Sequence, residues 1–69
     1  MNKNKLKAKC VEKGMSIETL ADKIGIHKST FYRHMDNSTF TIKQVRLIIK
    51  YLSLNEEEIM SIFFENTFA

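Results

Sequence analysis

The chain has no proline, no tryptophan, two glycines and one cysteine, and it carries no lysine or arginine after residue 50. Each scarcity removes a class of answer. Without proline nothing forces a break inside an element, so the chain reads as successive helices punctuated at Gly14 and Gly25. With Cys10 alone, no internal disulfide can form and no cysteine-rich zinc site can assemble, so this residue is expected in or near the core. His27 and His34 have no third ligand in evidence, and no metal is expected. No apolar run approaches the ~20 residues of a membrane span, and the opening lysines lead into no hydrophobic stretch. Neither a membrane segment nor a secretory leader is expected, and the cytoplasm is the default setting. There is no Gly-rich phosphate loop and no nucleophile–base set, so no enzyme, cofactor or small-molecule substrate is expected.

What is present is a short chain of sharply divided charge. Its 69 residues make one domain, spanning 1–69. A chain of this size buries only about 60% of the surface its unfolded form exposes, so caps, short loops or a partner subunit must help. All 11 lysines and arginines lie in residues 1–50 beside four acids, a balance of +7; residues 51–69 hold four glutamates and no base, a balance of −4. A basic body with an acidic end suits a polyanion such as nucleic acid. The plainer reading is a solvated, lysine-rich surface.

Helix ends are legible along the chain. Gly14 closes a lysine-rich first helix, and Ser16 caps a second, with Met15 and Leu20 placed as a hydrophobic staple. Thr41 and Gln44 have capping-box spacing, with Phe40 and Val45 as their staple. Asn55 and Glu58, between Leu54 and Ile59, repeat the pattern. Ile42, Val45, Ile49 and Leu52 follow helical spacing beside Ile48, and Ile59, Ile62 and Phe63 form a second stripe. The expected architecture is all-α: a compact five-helix domain.

The middle of the chain, "LADKIGIHKSTFYRHM" at 20–35, sets one alanine and one glycine among aliphatic residues and then turns polar and cationic. A short helix ending at Ile24 and another over 28–35, joined by a tight turn at Gly25 and Ile26, must cross steeply. Ala21 suits the close crossing and Gly25 the positive φ of the turn. Leu20, Ile24, Ile26 and Phe31 then share a core, and Lys28, Ser29, Tyr32 and Arg33 are left to project outward.

This pattern resembles the helix-turn-helix of the Cro and phage-repressor class of bacterial regulators, over about 16–35, within a lambda-repressor-like fold. The likeness extends through the basic third helix to the ending "LSLNEEEIMSIFF", which looks like that of small phage-associated Cro-like proteins of Gram-positive hosts. The resemblance implies a sequence-specific, DNA-binding transcriptional regulator in a bacterial host cell. It implies that Lys28, Ser29, Tyr32 and Arg33 face bases, while Ser16, His27 and Thr30 lie nearer phosphates. Arg33 matches the O6/N7 acceptor pair of guanine. Three positions depart from the family pattern. Ile17 stands where a polar residue is frequent, His27 where a small hydroxyl residue usually caps the recognition helix, and Asn37 where glycine is common after it. Asn37 is expected to take the left-handed conformation there.

Further residues are candidates on their own chemistry. Lys5, Lys9 and Lys13 recur every four residues on the first helix, a repulsion that a phosphate backbone would relieve. Lys43 and Arg46 open the fourth helix and are phosphate candidates too. A proton gained by His27 near phosphate would strengthen binding as pH falls from 8 to 6. On the C-terminal helix, about 55–64, Phe63 joins the core stripe, whereas Met60 and Phe64, with Phe68 beyond, form a second face expected to be an association surface.

The expected partner is a double-stranded DNA operator, bound by a homodimer at a phage or prophage switch. The alternative is an antirepressor that binds the cognate phage repressor through the same fold. An antitoxin is a third reading.

Overall fold

The structure is a computed structural model and describes residues 1–64. Five helices follow in order: α1 (Lys3–Glu12), α2 (Ile17–Ile24), α3 (Lys28–Asn37), α4 (Ile42–Leu52) and α5 (Glu56–Phe63). No strand occurs among the described residues. The fold is all-α, as its sequence predicts.

Each start is capped by a side chain that takes up a free backbone N–H. Ser16 accepts from the Thr19 amide at 3.0 Å. Thr41 with Gln44 and Asn55 with Glu58 both form reciprocal capping boxes. Asn2, at the start of α1, accepts from the Lys5 amide. Three helix ends share a second device, a left-handed cap: Gly25 after α2, Ser38 after α3 and Ser53 after α4. Gly25 turns left-handed at φ 85°, its N–H reaches Asp22 O, and the Ile26 N–H reaches Ala21 O at 3.0 Å. This double closure satisfies the last carbonyls of α2 and swings Ile26 back against the core.

Two expectations about helix ends are corrected. Asn37 remains helical, and Ser38 takes the left-handed turn at φ 55°. The extra helical residue lets the Thr39 N–H close on His34 O at 3.0 Å before the chain turns toward α4. Ile42 does not join the core stripe; it is 75% exposed. As the first residue of α4 it lies beyond the turns whose Ile48 and Leu52 are fully buried.

The core is continuous across all five helices. Leu6 and Cys10 enter from α1, Leu20, Ala21 and Ile24 from α2, Phe31 and Met35 from α3, Ile48 and Leu52 from α4, and Ile62 from α5. Burial pushes the Cys10 thiol up from its ordinary value, as suits a residue inside the core. Phe31 is completely buried and meets the Phe40 ring edge-on at 4.9 Å. Truncating such a ring to alanine costs about 3–5 kcal/mol. Ala21 is also fully buried, on a helix that packs against α1, α3 and α4. The Asn2 N–H donates to Ile62 O, tying the start of the chain to α5.

Candidate nucleic-acid interface

The orientation of α3 follows from its two buried residues. Phe31 and Met35 hold one side of the helix in the core, and Lys28, Ser29, Tyr32 and Arg33 are all exposed. Ser29, Tyr32 and Arg33 fall within about 100° of helix surface at the helical repeat. They present a hydroxyl, a phenol and a guanidinium side by side. Thr30 is half-buried at the margin of that strip.

The N-terminus of α3 has an unusual cap. The Ser29 backbone N–H donates to His27 Nδ1 at 3.1 Å, and the Ser29 hydroxyl lies 2.8 Å from the same nitrogen. An imidazole thus does the work that a small hydroxyl side chain commonly does. The cap requires Nδ1 to be unprotonated.

At the other end of α3, Asp36 would place an acid next to any polyanion. Lys3 of α1 pairs with it at 3.2 Å. Neither residue is suggested by local sequence, because the pair joins distant parts of the chain. His34 Nδ1 meets Thr39 Oγ1 at 2.7 Å, and its ring leans on Phe40. The histidines are thus spent on the two ends of α3. No group of three metal-ligating side chains occurs among the described residues.

Around α3 the other predicted residues divide. Ser16 is exposed, but its hydroxyl also meets Thr19 Oγ1 at 2.9 Å while capping α2. Glu18 of the same helix stands 3.9 Å from the Lys28 ammonium, a pair too exposed to hold Lys28 firmly. Lys43 and Arg46 are exposed on α4. Lys5 and Lys9 are drawn elsewhere. Lys9 pairs with Glu58 of α5 and with Glu12, and only 15% of its side chain is exposed. Lys5 donates to Ser61 Oγ at 2.7 Å. Lys5 and Lys9 of α1 therefore face the acidic helix, and the basic and acidic halves of the sequence are stitched together there. Lys23 and Lys50, which sequence reasoning passed over, flank the Tyr51 ring, each 5.5 Å from its centroid.

A second surface lies beside the end of α5. Met60 and Phe64 are 40% and 42% exposed. Phe64 lines an open apolar groove of about 320 Å³ with Met1, Phe40, Ile42, Val45 and Phe63, and Arg46 and Ser38 supply its polar rim. Phe68 lies outside the described residues. No described helix is long and apolar enough to cross a membrane.

Residues 5–65 match the model of a family described as the Cro/C1-type HTH DNA-binding domain. No curated protein and no solved structure gives a significant match.

Proposed function

Given that the chain belongs to the Cro/C1-type helix-turn-helix DNA-binding family, we propose that it regulates transcription at a phage or prophage genetic switch by occupying an operator. The family supports the coarser role of a DNA-binding transcriptional regulator. The observation that carries the reading is the exposed strip of Ser29, Tyr32 and Arg33 on a helix whose buried Phe31 and Met35 fix its rotation. In this reading α3 enters the major groove, Lys28 and the strip meet base edges, and Ser16, His27, Thr30, Lys43 and Arg46 border phosphates.

One such module reads only a few base pairs, too few to single out an operator among ~10⁶ competing sites. We therefore assign the Met60 and Phe64 surface to self-association, which would place two copies of α3 on a palindrome. A gel shift of the protein against the DNA upstream of its own coding region tests the reading. A discrete, competitor-resistant complex supports it; binding that any duplex abolishes equally counts against it.

The apolar groove beside Phe64 favours one further reading, in which the occupant is the cognate phage repressor and the chain acts as an antirepressor. Repeating the gel shift with that repressor present separates the two. Release of repressor from its operator, without contact of this chain with DNA, would favour the antirepressor.

A further inference from the structure

We propose that His27 makes Ser29 a one-sided reader, able to accept a hydrogen bond from a base edge but unable to donate one. This rests on the reading of α3 as the recognition helix and adds a rule for which bases it tolerates. A free serine hydroxyl is indifferent in the major groove, since it donates or accepts as the base requires. Ser29 is not free.

The argument is one of proton counting. The Ser29 backbone N–H, 3.1 Å from His27 Nδ1, can only donate, so Nδ1 is the acceptor and the ring proton sits on Nε2. The Ser29 hydroxyl, 2.8 Å from that same nitrogen, then has to donate as well, because two lone pairs would otherwise face each other. That contact uses the only proton the hydroxyl has. What Ser29 turns toward solvent is a pair of lone pairs on an exposed side chain.

The base edges answer this asymmetry directly. Adenine N6 and cytosine N4 carry amino protons that an acceptor can take, whereas guanine O6 and N7 and thymine O4 are acceptors themselves. On the strand that Ser29 meets, A and C are favoured over G and T. The wrong base leaves two acceptors opposed with water excluded, a situation that polar sites reject strongly. His27 is a positioning residue here: it acts on the base through Ser29 and needs no contact with DNA of its own.

The test selects duplexes from a random pool with the folded wild-type chain, Ser29→Ala, His27→Gly and the double variant. Glycine is tolerated at a helix N-cap, so His27→Gly keeps α3 while removing the nitrogen that holds the hydroxyl proton. The position read by Ser29 is the one whose preference Ser29→Ala erases. Wild type is expected to prefer A or C over G or T there by about tenfold, and His27→Gly to reduce that to about twofold with the remaining consensus intact. In the double variant the loss should be no greater than in Ser29→Ala alone. Nitrogen-15 long-range correlation spectra of the DNA-free protein at pH 8 should show His27 protonated at Nε2. A ring protonated at Nδ1, a preference for G or T, or an unchanged preference in His27→Gly overturns the inference while leaving DNA recognition standing. A folded wild type that enriches no duplex overturns the reading of α3 itself, and the inference with it, whatever the ring spectrum shows.

Discussion

A single carboxylate, Glu58, closes the cap of its own helix and anchors a distant one. Its Oε1 accepts the Asn55 backbone N–H at 2.9 Å, and its Oε2 pairs with the Lys9 ammonium of α1. The pair is largely sheltered, with 15% of the Lys9 side chain and 25% of the Glu58 side chain exposed. α5 is therefore started and docked by the same group. Removing Lys9 strands that group half-buried, while removing Glu58 loses a cap as well.

Lys9→Ala is accordingly expected to destabilise the fold by about 1 kcal/mol, and Glu58→Ala by about 2 kcal/mol, in urea melts. The salt dependence of DNA binding should be the same in Lys9→Ala as in wild type. A slope shallower by about one unit would instead put Lys9 on a phosphate.

Acid should act through Glu12. Its hydrogen bond to Lys9, reinforced by the charge of Lys9, holds the Glu12 carboxyl below the ordinary carboxylate value. A carboxyl whose folded-state value is depressed contributes stability above its unfolded value. That contribution is lost as pH falls through the folded one. Circular dichroism from pH 7 down to 2 should show wild type losing stability across that acid range, and Glu12→Gln losing less of it. Equal acid slopes in the two proteins would remove Glu12 from the account.

The left-handed residues offer opposite tests of one physical cost. No atom would obstruct a Cβ at Gly25, so Gly25→Ala should destabilise through φ alone, by about 1–2 kcal/mol. Ser53 sits at φ 51° with a Cβ already in place, and Ser53→Gly should stabilise by about 0.5–1 kcal/mol. Thermal melts that move the wrong way at either site would contradict the turn geometry.

Arg33→Ala should weaken specific DNA binding by about 1–3 kcal/mol and relax preference at one base pair, while leaving stability unchanged. Its side chain is exposed and sits on the face of α3 turned away from Phe31. Unchanged specific affinity would mean that α3 is not the reader.

The association surface is tested by Phe64→Asp and Met60→Asp in sedimentation. Both side chains are partly exposed, so the variants should fold by circular dichroism and remain monomeric at concentrations where wild type associates. A wild type that stays monomeric at tens of micromolar, with and without DNA, would exclude the homodimer.

Local grammar explains what was legible beforehand. A cap and its target lie three residues apart, so Ser16, Thr41 and Asn55 announce their helices whatever the rest of the chain does. Ala21 and Gly25 likewise mark the central turn, because a close crossing and a positive φ are demands on single positions. Periodicity was a weaker guide at the edges. It put Ile42 in the core because it counts spacing and does not see where the neighbouring helices stop. The left-handed turn at Ser38 instead of Asn37 has a different origin: the family pattern supplied that position, and it does not fix where this α3 ends.

By itself, then, the sequence determined five helices, the caps at Ser16, Thr41 and Asn55, the turn between α2 and α3, and a core-facing Phe31 that leaves a polar strip on the other side. Those are consequences of backbone hydrogen bonding and apolar spacing within a few residues. Only the tertiary structure decided how the charges were spent. Lys9 and Lys5 turn to α5, and Lys3 covers Asp36. A long charged side chain has several partners within reach, and which one it meets depends on how helices distant in sequence are docked.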